Sequence, residues 1–382
     1  MTERTFTVLV VGGYGVFGER VCRLLAGDPA IRLIVGGRSA ERAEALAAEL
    51  RSSPGGGRVE AARLDASADF GAALRRTGAR LVIHAAGPFQ GQDYAVARAC
   101  IDNGAHYIDL ADATGFVAGF DGLDEPARAA GVLAVSGASS VPGLSSTVVD
   151  SLVRDIARTT TIDIAIAPGN KAPRGLAVIA AILGYAGKPV RWWHEGRPAV
   201  AHGWQDLRRC TLRLPDGTRI GPRWLAVVDV PDLVLFPRRY DGVRTVAFHA
   251  GLELKTLHFG LWALSWPVRW RLVPSLRPLA PLALRIAGAL GRFGSDRGGM
   301  SVTVSGETAD GRPIRRRWTL IAGSGHGPMI PCLPAVILAR KLADGTLART
   351  GATPCLGLFG LDDFRAAIGD LDIRFAEEAI HD

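Results

Sequence analysis

Seven residues, Gly12 to Gly18 in "VLVVGGYGVFGERVCRLLA", constrain this chain more than any others. Gly13, Gly15 and Gly18 have G-x-G-x-x-G spacing between an apolar run, Val8 to Val11, and a helical pattern, Gly15 to Ala26. A second apolar run, Ile31 to Val35, follows. Glycines at that spacing permit a tight turn, a close approach of backbone to pyrophosphate and close packing of helix on strand. The N–H groups of the following helix then point at phosphate. This order predicts a parallel α/β sheet that binds a dinucleotide.

The next 130 residues extend the pattern. Short uninterrupted apolar runs at Val59 to Leu64, Leu81 to Ala85, Tyr107 to Leu110 and Val132 to Val135 read as buried parallel strands. Helical patterns separate them at Ala40 to Leu50, Ala68 to Arg76, Gln92 to Asn103 and Leu123 to Ala130. Six βα units imply a Rossmann doubly wound parallel sheet over residues 1–142. Beyond Val141 the character changes. "TTTIDIAIAPG" reads as a strand and "RGLAVIAAILGYAG" as a helix, and Asp216-Gly217 and Asp310-Gly311 each sit between strand-like arms as hairpin signals. Residues 143–326 are therefore expected to form an α+β domain on a mixed or antiparallel sheet, for substrate or dimerisation. The C-terminal segment, about 327–382, is expected to pack back on the first domain.

Composition excludes several classes. Of the 45 basic residues 41 are arginine, and the formal net charge is +8. An arginine bias of this kind follows genome composition as readily as function, and with no recognition motif beside it no nucleic-acid partner is expected. Five cysteines without a CxxC pair or zinc-spaced histidines point to neither a disulfide framework nor a metal site. The N-terminus enters a strand at once, without a basic stretch followed by an apolar helix, so a cytoplasmic protein is expected. The apolar region Leu257 to Leu290 is cut by Pro267, Pro274, Pro278 and Pro281 and carries arginines, so no membrane-spanning helix is expected there.

The second strand runs into "VGGRSAER", with Arg38 where an acid often accepts the ribose hydroxyls of NAD. Arg38 can instead bond a 2′-phosphate and stack beside adenine, and Ser39 adds a hydroxyl while capping the next helix. These residues favour NADP, unless Arg38 is simply one exposed arginine among many. Asp65, after the third strand, either contacts adenine or caps a helix. The small run Ala85-Ala86-Gly87 lets backbone approach the nicotinamide ribose, and Pro88 fixes the loop beside it.

Together "GGYGVFG", "GGRS", "HAAGPFQGQDYAVARACIDNGAHYIDLAD" and "SGASSVPGLSS" resemble the saccharopine dehydrogenase-like NAD(P)-binding oxidoreductases, a family that includes saccharopine reductases and trans-acting enoyl reductases. The resemblance covers about residues 5–145. It implies a Rossmann domain carrying NADP and a second domain whose mixed sheet closes over the nicotinamide. The cofactor positions it implies are Gly12, Gly13, Tyr14, Gly15, Val16, Phe17, Gly18, Gly37, Arg38, Ser39, Asp65, Ala86, Gly87, Pro88 and Phe89. His84 departs from the pattern, standing where a small polar residue such as asparagine is expected.

The reaction is less legible. Hydride transfer needs a held nicotinamide and one proton donor. His84, Tyr94, His106, Asp109, Asp112, Ser139 and His326 are the titratable or hydroxyl groups of interest, and Asp109 and His326 are selected as catalytic candidates. Asp109 ends the fifth strand, though a capping role explains it equally, and His326 lies between glycines in "GSGHGP". His106 reads as structural. Arg315 to Arg317 read as a solvated strand edge. Trp262, Trp266 and Trp270 recur every four residues beside several arginines, a stripe that suits a core or homodimer surface, or a membrane face or channel for a lipid-like substrate through 257–293. The leading expectation is an NADP(H)-dependent oxidoreductase acting on a C=O, C=N or C=C bond of an apolar small molecule. A non-catalytic NADP sensor or scaffold is the alternative.

Overall fold

The computed structural model describes residues 5–53, 57–66 and 68–380. The chain forms two compact units, Met1–Leu144 with Met329–Ala367, and Ser145–Pro328 with Ile368–Asp382.

The first unit is built on a parallel seven-stranded sheet. Its strands are β1 (Phe6–Val11), β2 (Ile31–Gly37), β3 (Val59–Arg63), β4 (Leu81–His84), β5 (His106–Asp109), β6 (Leu133–Ser136) and a late strand, Gly351–Pro354. Their spatial order is Gly351–Pro354, β6, β5, β4, β1, β2, β3. All six residues of β1 are buried, as a strand covered on both faces must be. Strand order reverses where β4 and β2 flank β1, so a crevice opens beyond the carboxyl ends of β1 and β4. The helix Leu333–Ala343 returns to this unit, with Cys332 Sγ against the Phe17 carbonyl and Arg340 paired to Asp28 at 3.2 Å.

The second unit carries β7 (Arg158–Ala167), β8 (Pro189–His194), β9 (Arg197–His202), β10 (Arg208–Arg213), β11 (Arg219–Val227), β12 (Thr245–Ala250), β13 (Gly298–Glu307) and β14 (Pro313–Ala322). β7 and β12 pair in parallel, whereas β10–β11, β11–β12, β7–β13 and β13–β14 are antiparallel. The sheet is therefore mixed. Both Asp-Gly pairs make their turns, with Gly217 and Gly311 at φ 86° and 79°. Between β12 and β13 the chain leaves the sheet for a helical arm, with helices Lys255–Arg269 and Ala280–Ala289.

Two expectations are corrected. The C-terminal segment does not return whole to the first unit, because Ile373–Ala379 adds an antiparallel strand to β14 in the second sheet. Seven register pairs, Arg316 with Ala379 through Ala322 with Ile373, cover what would otherwise be an open edge. For the same reason Arg315 to Arg317 are not a solvated edge. β14 lies between two strands, and Arg316 pairs with Asp155 at 2.7 Å and Glu377 at 3.1 Å.

Candidate dinucleotide site

The turn between β1 and the helix Gly18–Leu25 is shaped by missing side chains. Gly12 has φ 76°, and a Cβ there would stand 3.1 Å from the Ala86 backbone nitrogen. A Cβ on Gly13 would meet Val35 Cγ1 at 2.9 Å. On Gly18 it would collide with the Gly12 carbonyl oxygen, closer than real Cβ contacts come. The amides of Gly12 and Gly13 both donate to the Gly36 carbonyl, at 3.0 and 2.9 Å, and Gly15 donates back to Gly12 at 2.8 Å. The loop is thus folded on itself between β1 and β2, at the strand-order reversal where a pyrophosphate is received. The regular helix begins at Gly18, three residues later than the periodicity predicts, because Gly12 to Phe17 form the turn.

Beside this turn Tyr14, Gly37, Ser39 and Arg42 form one edge. Tyr14 packs its ring directly over Gly37, where any Cβ would strike it, and its hydroxyl accepts the Ser39 amide at 2.8 Å. Ser39 Oγ accepts the Arg42 amide at 3.2 Å and so caps the helix Ala40–Ser52. The Arg42 guanidinium lies 4.5 Å from the Tyr14 ring centroid. Arg38 is exposed and forms no hydrogen bond or ion pair among the described residues. Two cations and a helix N-terminus therefore share one edge. Arg42 was not singled out by the sequence; its position in the first turn of the helix that Ser39 caps was the available signal. Asp65 is exposed just beyond β3, and Leu64 next to it donates to the Gly37 carbonyl at 3.0 Å.

Across the crevice, β4 ends at His84 and the loop Ala86 to Phe89 follows. Gln92 Nε2 donates to the carbonyls of Ala86 and Pro88 at 3.1 and 2.8 Å, tying the loop to the residues that follow it. Phe89 is buried, edge-on to His84 with ring centroids 5.1 Å apart. His84 is itself buried, with Nδ1 3.1 Å from the Tyr107 hydroxyl. Burial lowers its pKa to about 4, so its ring is neutral at physiological pH. His84 is thus the apolar-walled partner of a tyrosine rather than an acid.

Asp109, at the end of β5, is fully buried. Its Oδ1 accepts the Ala111 amide at 2.9 Å, the Gly137 amide at 2.8 Å and the Ser136 hydroxyl at 3.0 Å. Burial pushes its carboxyl up to about 6, against the lowering pull of those three donors and of Tyr107. One carboxylate thereby ties the ends of β5 and β6 together. His106 Nδ1 accepts the Leu133 amide at 2.9 Å and is structural. His326 belongs to the second unit, where its Nδ1 accepts the Asp372 amide at 2.8 Å. That bond places the hydrogen of a neutral ring on Nε2. Within the second unit a groove of about 660 Å³ is lined by Trp192, His202, Gln205, Trp262, Trp266 and Arg269 among others. No group of three or more potential metal ligands occurs among the described residues.

Residues 8–135 match the saccharopine dehydrogenase NADP-binding domain. No curated protein matches the sequence. Among solved structures, the apo saccharopine dehydrogenase (L-Glu forming) of Saccharomyces cerevisiae is similar over 98% of this chain and 100% of that one, at 14% identity and a TM-score of 0.67. An amine dehydrogenase from Mycobacterium smegmatis aligns over 93% of this chain and 95% of its own, at 13% identity and a TM-score of 0.49. The yeast enzyme thus shares the fold of the whole chain, and over residues 8–135 the sequence is similar to the NADP-binding domain of saccharopine dehydrogenases.

Proposed function

We propose that this protein is an NADP(H)-dependent oxidoreductase that transfers hydride to or from a C=O, C=N or C=C bond of an apolar small molecule. The observation that carries the cofactor choice is Arg38, exposed and unengaged at the end of β2, with Arg42 and the Ser39-capped helix beside it. An edge with two guanidinium groups suits a 2′-phosphate, and Arg38 stands at the end of β2 where an acid often accepts the ribose hydroxyls of NAD. The glycine turn fits the group as well, since the close backbone packing at Gly12, Gly13 and Gly18 makes the tight turn that leads into the N-terminus of the helix Gly18–Leu25, where a pyrophosphate would lie.

In this reading Gly12 to Gly18 hold the pyrophosphate, Tyr14, Gly37, Arg38, Ser39 and Asp65 the adenosine end, and Ala86 to Phe89 bound the nicotinamide. The bound dinucleotide supplies the hydride. Asp109 is a positioning residue, fixing the β5 and β6 ends beside the crevice. The second unit's groove offers the indole faces of Trp192, Trp262 and Trp266 to the apolar part of a substrate, beside polar groups that include His194, His202, Gln205, Asp206 and Arg269.

The test is a pair of fluorescence titrations with NADPH and NADH. NADPH is expected to bind at least tenfold more tightly, a difference of about 1.4 kcal/mol. Equal affinities would overturn the cofactor assignment, and binding of neither would overturn the function.

A further inference from the structure

The helical arm between β12 and β13 has an unusual surface. Eight of the ten large hydrophobic residues exposed among the described residues lie between Leu264 and Phe293, including Trp270, Leu272, Leu279, Leu282, Ile286 and Phe293. The same stretch is one-sided in charge. From Leu254 to Ser295 there is no aspartate or glutamate, and there are six cations, Lys255, Arg269, Arg271, Arg277, Arg285 and Arg292. A scatter of single exposed leucines needs no explanation, but a contiguous run of apolar side chains rimmed by arginine does. The helix Leu176–Tyr185, "LAVIAAILGY", packs against the helix Ala280–Ala289 and extends the apolar character without adding a charge.

The arm is also held as a unit at its base. Glu253, just before it, accepts the Ser295 amide at 2.9 Å and the Ser295 hydroxyl at 2.8 Å just after it. Arg223, 9% exposed, pairs with the same carboxylate at 2.9 Å. Asn170 Nδ2 donates to the carbonyls of Leu290 and Phe293 at 2.9 and 3.0 Å. On the inner side of the first helix, Trp204 Nε1 donates to the His258 carbonyl at 3.1 Å and Gln205 Nε2 to Ser265 Oγ at 3.1 Å. These polar contacts lie at the root and inner side. The exposed side keeps the apolar groups, so their exposure belongs to an anchored element.

We propose that this arm is a docking surface for an anionic phospholipid membrane, in which Trp270, Leu272, Leu282 and Ile286 enter the acyl boundary while Arg271, Arg277, Arg285 and Arg292 meet the headgroups. Tryptophan and arginine suit that depth, because each joins an apolar body to a group that stays in the headgroup layer. The prolines that divide the arm keep its helices short, and no helix of the described residues is long and apolar enough to cross a membrane, so the arm lies on the surface. A second copy of the chain is the poorer occupant. A twofold interface would set this face against itself, opposing arginines with arginines and offering no acid from Leu254 to Ser295 to neutralise them.

The test uses the full chain in co-sedimentation with vesicles of phosphatidylcholine alone and vesicles enriched in phosphatidylglycerol, at low and high salt, alongside light scattering for oligomeric state. The monomer is expected to sediment with the anionic vesicles at low salt, at least tenfold more strongly than with the neutral ones. Leu272→Asp with Leu282→Asp should reduce that binding at least tenfold without moving the melting temperature. Arg277→Glu with Arg285→Glu should remove the preference for anionic lipid, and gives an independent answer should the first variant fail to fold. No sedimentation with anionic vesicles at low salt would overturn the proposal. So would a dimer that Leu272→Asp converts to monomer, which would make the face a self-interface. Neither readout depends on the cofactor.

Discussion

In the Gly12–Gly18 loop there is no room for one added carbon, since a Cβ on Gly18 would run into the Gly12 carbonyl, whereas along the arm side chains as large as Trp270 and Leu272 stand 62% and 74% exposed. Both are short, continuous stretches of sequence. The first is defined by backbone meeting backbone, so its residue types are dictated by geometry and can be read from spacing alone. The second is defined by which side of a helix the rest of the chain covers, and spacing is silent on that. Trp262, Trp266 and Trp270 recur evenly, yet the first two are half-buried beside a groove and the third is exposed.

The sharpest way to break the comparison is to fill the loop. Gly18→Val should destabilise the first unit by more than about 3 kcal/mol and abolish NADPH binding, because the colliding atom is backbone and cannot turn aside. A variant with an unchanged melting temperature would show that the loop is looser than its contacts imply. Next in size is the root of the arm. Glu253→Gln leaves the buried Arg223 without its countercharge, and thermal unfolding should report a loss of about 3 kcal/mol. Burial opposes the charge on Glu253, but the Ser295 and Asn170 amides and Arg223 outweigh it and hold the carboxyl below its usual range.

Arg38→Asp is a smaller and more selective change. NADPH affinity should fall ten- to a hundredfold, about 1.4 to 2.7 kcal/mol, while NADH affinity holds or improves, as isothermal titration would measure. The smallest effect at neutral pH is expected from His84→Asn. The His84 ring has its pKa lowered to about 4 in the folded chain, below the ordinary 6.5, so the unfolded chain binds more protons between those values. Stability contributed by the neutral ring is present above pH 6.5 and is lost as pH falls toward 4. Melting temperature followed over that window should drop less steeply in His84→Asn than in the parent; equal slopes would refute the assignment.

Much of the first unit was legible in the sequence. Each of its six predicted strands forms within two residues of the apolar run that announced it, because buried parallel strands need continuous apolar stretches and tolerate little else. The partnership of Tyr14 with Ser39 and Arg42 was not legible, since the residues are 25 or more apart and meet only through the glycines that let β1 and β2 turn together. The role of Asp109 was half legible. Its place at a strand end was plain, but its three donors come from Ala111, Ser136 and Gly137. The C-terminal strand was missed because a short alternating strand such as "IRFAEEA" carries little signal until a neighbour needs its edge covered.

The sequence by itself determined the parallel βα order, the glycine turn and the arginine at the end of β2. Those features follow from local backbone sterics and from contacts between neighbours in the chain. Only the tertiary structure decided that Arg315 to Arg317 lie inside a sheet, that Glu253 closes the root of the arm, and that the arm's apolar side chains are left uncovered. Burial and pairing belong to surfaces brought together from distant parts of the chain, and no local pattern records which surfaces will meet.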